Sequence, residues 1–274
     1  MIIDAHTHIY PEKIADRAIA KLEAASGIRA KTNGRDNGLL QSMREAGVRY
    51  SLLLPVATSP RQVDTINEEA AETNVRADRT GLLSFGGIHP DTPDYKEVLR
   101  RVKSMGLKGI KLCPDYQKVF FNDIRCKRIV EEASGLGLYI MIHAGVDIGL
   151  PDPVHCRPDH VIEVLRETGS DKLILAHMGG WRLWDEVKEK LSDQPVYLDT
   201  AFSLDCMPDV EGMLTKDRFV DMVRSFGAEK IAFGTDSPWC SQKACVEWIR
   251  KTALTEQEKE QIFSGTIRKI LDME

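Results

Sequence analysis

Two imidazoles one residue apart stand near the start of the chain, in Asp4-Ala5-His6-Thr7-His8. On an extended strand alternate side chains leave the same face, so His6 and His8 aim together and can bind one transition-metal ion in adjacent positions. A lone H-x-H is a weak signal, since ordinary polar strand ends contain it too. Three further residues strengthen it. His143 directly follows the apolar run Leu138-Tyr139-Ile140-Met141-Ile142, and His177 follows another in Leu175-Ala176-His177-Met178-Gly179-Gly180. Asp236 follows Ile231-Ala232-Phe233-Gly234 in Gly234-Thr235-Asp236-Ser237-Pro238. Lys111, in Gly109-Ile110-Lys111-Leu112, adds a cation on the face it shares with Gly109. Any one of these has a bland explanation, as a hydrogen-bonded histidine or a loop-capping aspartate. Their common place at the ends of apolar runs does not.

Those runs define the elements that must position the site. Strands are expected at 2–5, 49–54, 82–88, 107–112, 138–142, 172–176, 196–198 and 230–233. Helical periodicity lies between them at 61–77, 95–103, 124–134, 160–167, 181–191, 217–226 and 242–251. Eight strands each followed by a helix spell an α/β protein, a (β/α)8 TIM barrel forming a single domain over 1–274. The first interval is longer, with an extra helix at 12–25 and a polar stretch at 26–38. The tail, 255–273, reads as two more helical pieces. Barrel enzymes carry their active sites at the carboxyl ends of the strands, where His6, His8, His143, His177 and Asp236 fall.

Composition narrows the function classes. The 274 residues are 42% hydrophobic and 29% charged, enough apolar material for a large core. The net charge is −5 and no block of lysine or arginine stands out, which argues against nucleic-acid or membrane partners. No apolar run approaches the roughly 18 residues of a membrane helix. The amino terminus lacks a basic leader and places Asp4 among its apolar residues, so no secretory signal is expected. The six cysteines (Cys113, Cys126, Cys156, Cys206, Cys240, Cys245) include no C-x-x-C pair. Free thiols in a cytoplasmic protein are the expectation.

The order H-x-H, G-I-K-L, I-H-A-G, L-A-H-M-G-G and G-T-D-S-P resembles the amidohydrolase superfamily, most closely its amidohydrolase-2 branch, from His6 to the closing helices. The resemblance implies a metal-dependent (β/α)8 enzyme in which His6, His8, His143 and Asp236 match the metal-ligand positions and His177 matches the strand-six histidine. Ser264-Gly265-Thr266-Ile267 departs from the Gly-Asn-Ala-like turn of many relatives. No glutamate stands on strand four, unlike TatD-type nucleases, although Gly87-Ile88-His89-Pro90 echoes them.

On this reading a divalent ion, zinc for an imidazole-rich set, activates water at neutral pH for attack on an ester, lactone or amide bond of a small, anionic substrate. Asp236 accepts the water proton and His177 polarises the carbonyl or steadies the oxyanion. One ion per chain is expected, or two if Lys111 is carboxylated. Lys111 alternatively remains an ammonium and meets a substrate carboxylate, or sits in a structural ion pair. A second reading keeps the metal and makes the protein a non-oxidative decarboxylase of a small carboxylic acid. The relatives with that activity tend to be longer, which tilts the balance modestly toward hydrolysis. A TatD-like nuclease or a non-catalytic metal-binding barrel ranks below both.

Several loop residues carry two readings. Arg157, in the long segment 144–159, either holds a substrate carboxylate or is a solvated charge. Trp239 offers an apolar wall for substrate. Asp199 either orients a ligand or caps a turn. Trp181 and Trp184 share a helix face. The stretch 27–35 either orders over an anionic substrate or is a plain polar loop. A homodimer is the base-rate expectation for the assembly.

Overall fold

The short apolar runs become nine strands in the computed structural model, which describes residues 1–273. They are β1 (Ile3–Thr7), β2 (Tyr50–Leu53), β3 (Leu82–Ser84), β4 (Gly86–Gly87), β5 (Gly109–Leu112), β6 (Tyr139–Ile142), β7 (Leu173–Leu175), β8 (Val196–Asp199) and β9 (Ile231–Ala232). The chain divides into two units, one of Met1–Leu53, Ile148–Pro151 and the residues from Asp199 onward, the other of Leu54–Asp147 and Asp152–Leu198.

In the second unit β4 to β8 pair in sequence order, all parallel, with Gly87 opposite Lys111, Lys111 opposite Met141, Ile142 opposite Leu175 and Leu175 opposite Leu198. Parallel strands covered on both faces need continuous apolar runs, and Ile140, Met141, Ile142, Leu173, Ile174 and Leu175 are all fully buried. Helices Val63–Val75, Tyr95–Ser104, Ile124–Gly135, Pro158–Thr168 and Trp184–Leu191 alternate with the strands. Leu99 and Val102 form the buried stripe of Tyr95–Ser104. Asp123 starts Ile124–Gly135 by accepting a hydrogen bond from the Arg125 amide.

The strand expected at 82–88 is interrupted at Phe85. Side chains of helix Val63–Val75 take backbone groups there: Asn74 accepts from the Ser84 amide at 2.7 Å, and Asn67 accepts from the Gly87 amide at 2.9 Å. A Cβ on Gly86 would lie 2.4 Å from Asn67 Oδ1, so this approach needs glycine. The helix expected at 181–191 begins only at Trp184, because Gly180 (φ 157°) and Arg182 (φ 64°) cannot continue a right-handed turn. Trp181 therefore lies outside the helix, and the shared face with Trp184 does not form.

In the first unit β1 pairs with β2 on one side and meets the segment just beyond β9 on the other. Ile3 and Asp4 pair with Tyr50 and Ser51, while on the other side the Ala5 amide donates to Phe233 O at 2.7 Å. A register shift between Asp4 and Thr7 interrupts the β1–β2 pairing beside His6. Helix Ala15–Ser26 corresponds to the extra helix, and Asp36–Ala46 is an additional one whose buried Leu39, Met43 and Ala46 lie on one stripe. Helices Lys216–Phe226 and Gln242–Arg250 pack through Phe219 and Trp248, whose rings meet edge to face at 5.5 Å. In the tail Glu256–Glu260 and Thr266–Leu271 are joined by a π-helical turn, and the Ile262 carbonyl accepts from the Phe233 amide just beyond β9. No helix among the described residues is long and apolar enough to cross a membrane.

Candidate metal centre and a second histidine cluster

The first unit assembles its cluster around the end of β1. Buried Asp4 anchors the base, accepting hydrogen bonds from Thr235 Oγ1 at 2.5 Å, Gln242 Nε2 at 2.8 Å and the Thr235 amide at 3.0 Å. Burial pushes its carboxyl up to about 6, although those hydrogen bonds pull the other way. Asp4 thus ties β1 to the segment that carries Asp236. The main chain adds two more ties, as the Asp236 amide donates to His6 O at 2.8 Å and the His8 amide to Ser237 O at 2.6 Å.

Above this base His6 Nε2 and His8 Nε2 lie 3.1 Å apart, with Asp236 Oδ1 3.1 Å from His8 and 3.5 Å from His6. Asp199 Oδ2 sits 2.6 Å from His6 Nδ1 and accepts a hydrogen bond from its N–H, leaving the Nε2 lone pair directed at the other two ligand atoms. Asp199 also accepts from the Ala201 amide at 3.0 Å. Ligands about 2.05 Å from a tetrahedral ion stand about 3.3 Å apart, the spacing found among these three atoms. Two imidazoles, one of them oriented by Asp199, and the Asp236 carboxylate are a donor set that fits a divalent transition metal.

Asp236 adopts φ 64°, a left-handed conformation uncommon outside glycine, and such backbone clusters where geometry serves function. Gly234 makes room below, since a Cβ there would lie 2.9 Å from His6 Cβ and 3.4 Å from Asp199 Cβ. Tyr10 was not singled out by its sequence, although it continues the alternation of His6 and His8. Burial, with the nearby Asp236 charge, pushes its phenol upward and keeps it a proton donor. Trp239 lies half-buried after Asp236, its amide donating to Asp236 O at 2.8 Å. The stretch 27–35 is tied down by the Lys31 amide on Pro238 O at 2.6 Å and by Arg35 on Glu12 and Asp16.

The second unit brings His143 and His177 together after β6 and β7. His177 Nε2 lies 2.9 Å from His143 Nδ1. His143 Nε2 faces two carboxylates, Asp147 at 3.6 Å and Asp115 at 3.8 Å. Asp115 in turn accepts from His155 Nδ1 at 2.9 Å, and burial outweighs that bond in raising its carboxyl above the usual range. Neither aspartate stood out in the sequence, because Asp115 lies in a short helical turn and Asp147 in a loop, with no motif around them. His177 and Met178 both have positive φ (60° and 54°), in a turn that Trp184 Nε1 holds by donating to His177 O at 3.0 Å. Gly145 packs against the same turn, where a Cβ would fall 2.1 Å from the Trp181 amide nitrogen.

Lys111 is buried on β5, only 2% exposed. Arg157, part exposed, pairs with Glu186 at 2.9 Å. His89 Nδ1 accepts from the Asp91 amide at 3.1 Å, a local loop bond.

A family model described as Amidohydrolase (Amidohydro_2) matches residues 3–273, and the chain belongs to this family of metal-dependent enzymes. No curated protein matches the chain. Among solved structures, an uncharacterized TIM-barrel protein, Bb4693 from Bordetella bronchiseptica, superposes with a TM-score of 0.76 at 17% identity, over 99% of this chain and 98% of that one. A dihydroxybenzoic acid decarboxylase from Polaromonas sp. JS666, with bound manganese and the inhibitor 2-nitroresorcinol, gives 0.70 at 16% identity over 99% and 96%. The 5-carboxyvanillate decarboxylase LigW from Sphingomonas paucimobilis gives 0.67 at 15% over 100% and 99%. These likenesses establish the fold, the (β/α)8 barrel expected from the strand and helix order.

Proposed function

We propose that this chain is a cytoplasmic, single-domain, metal-dependent enzyme that removes carbon dioxide non-oxidatively from a small carboxylic acid. The carrying observation is the convergence of His6 Nε2, His8 Nε2 and Asp236 Oδ1 around one point, with Asp199 fixing the His6 tautomer. The decarboxylases among the solved barrels support the choice of reaction over hydrolysis. The family resemblance also implies a metal-ligand role for His143.

A bound divalent ion would supply Lewis-acid stabilisation of negative charge on substrate oxygens. The rest falls to the chain's own residues. The bond between the carboxylate carbon and the substrate breaks, carbon dioxide leaves, and the carbon that keeps the electron pair takes one proton. Asp236 and His177 are assigned to proton delivery. His177 Nε2 and His143 Nδ1 lie 2.9 Å apart, so one of these nitrogens donates to the other and the pair can relay a proton. Lys111, as an ammonium, is assigned to the substrate carboxylate. Trp239 is assigned an apolar contact with substrate. We assign one ion per chain to this centre, zinc by its donor set.

The carboxylate of Asp236, part exposed beside two imidazole nitrogens, equally suits a base that takes a proton from water, which favours hydrolysis as the second reading. The two separate cleanly. With a panel of aromatic and unsaturated carboxylic acids, stoichiometric carbon dioxide without incorporation of labelled water oxygen supports decarboxylation. Turnover of esters, lactones or amides with incorporation overturns it. His177→Asn should lower kcat about 10²–10⁴-fold with metal content unchanged. If metal is lost with turnover, His177 is a ligand instead.

A further inference from the structure

Apart from both histidine groups, three cysteines of the first unit meet. Cys240 Sγ lies 3.1 Å from Cys245 Sγ, and Cys206 Sγ lies 3.6 Å from Cys245 and 3.7 Å from Cys240. Two of them are neighbours for a local reason. Ser241 caps helix Gln242–Arg250 by accepting from the Ala244 amide, which leaves Cys240 just before the cap and Cys245 one turn in, positions whose side chains pack across a helix start. Nothing local brings in Cys206. Its loop is pinned separately, with Leu204 bridged to Leu214 and the Asp205 amide donating to Leu214 O at 3.1 Å.

We propose that Cys206, Cys240 and Cys245 form a three-thiolate site for one soft metal ion, zinc(II) first, distinct from the centre at His6, His8 and Asp236. Neutral thiols gain little by converging, because the S–H group is a weak donor and sulfur a weak acceptor. Thiolates converge only around a cation, and each cysteine gives up its proton to solvent as the bond to metal forms. Zinc–sulfur bonds of about 2.3 Å at tetrahedral angles place sulfurs about 3.8 Å apart, close to two of the three separations here. The third opens by rotation of the Cys240 side chain. All three separations far exceed the roughly 2.05 Å of a disulfide. Cys240 and Cys245 are buried and Cys206 is part exposed, so water can complete the coordination on the Cys206 side. Cys240 belongs to the loop that carries Asp236, and a bound ion would brace that loop against the one carrying Cys206.

The test uses the full chain purified under reducing conditions without chelator. Elemental analysis should show a zinc equivalent that Cys206→Ser loses and that Asp236→Asn and His6→Asn retain. After cobalt(II) exchange, wild type should show a sulfur-to-cobalt charge-transfer band in the near ultraviolet, absent from Cys206→Ser and kept in Asp236→Asn. Zinc-edge X-ray absorption on wild type should find sulfur scatterers near about 2.3 Å, a readout that depends on no variant. Absence of sulfur scatterers and of the charge-transfer band overturns the site, as does a Cys240–Cys245 disulfide in protein whose metal content equals that of Cys206→Ser. Equal metal content in wild type and Cys206→Ser, as when a second equivalent comes only from a carboxylated Lys111, also overturns it. Loss of the histidine-centre metal alone leaves the sulfur signals intact and bears only on the proposed enzyme.

Discussion

His6 shows how a ligand is made ready by its neighbours. Its ring would be free to rotate and to choose either tautomer, but Asp199 at 2.6 Å accepts a hydrogen bond from Nδ1–H and holds Nε2 toward His8 and Asp236. Such carboxylate partners raise ligand basicity, and their loss typically costs 10–100-fold in metal affinity. Asp199→Asn should therefore weaken metal binding by about that factor, measured by competition with a chromophoric chelator, while far-ultraviolet circular dichroism stays unchanged. Unaltered affinity would reduce Asp199 to its second bond, the cap on the Ala201 amide.

At the scale of elements, the approach of β1 to the segment after β9 depends on Gly234. Gly234→Ala would place a methyl 2.9 Å from His6 Cβ, and overpacking of this kind costs about 1–3 kcal/mol. Urea unfolding should show that loss together with weaker metal binding, since His6 is the side chain displaced. A helix end supplies a pH-dependent case. Asp123 caps Ile124–Gly135, and the Arg125 guanidinium beside it lowers its carboxyl to about 2, below the usual 3.8. A depressed carboxyl contributes stability that is complete above the unfolded pKa and lost as pH falls toward the folded one. Asp123→Ala should cost about 1 kcal/mol at neutral pH, and its melting temperature should converge on that of wild type as pH drops from about 4 to about 2 and below.

For the whole molecule, metal binding and stability are one equilibrium. An ion that binds only the native chain adds about 2.7 kcal/mol when present at 100 times its Kd. For a chain of this size each kcal/mol moves the melting temperature by about 2–4 °C. Adding zinc to metal-free Cys206→Ser protein, where only the histidine centre can respond, should raise the melting temperature by about 5–10 °C. Scanning calorimetry should find no such rise once Asp236→Asn is added.

The sequence by itself determined the strand and helix order, because buried parallel strands require unbroken apolar runs and amphipathic helices a 3.6-residue stripe. It also determined that His6 and His8 point together, since alternation on a strand is local. What local pattern cannot carry is a bond between distant segments. Asp199 on His6, Asp115 between His143 and His155, and Cys206 beside Cys240 and Cys245 each depend on where separate loops end. The break at Phe85 came from Asn67 and Asn74 reaching across to backbone groups, and the late start of the helix at Trp184 from left-handed residues before it. Side chains of one element reset the hydrogen bonds of another, and only the tertiary structure decides which of them meet.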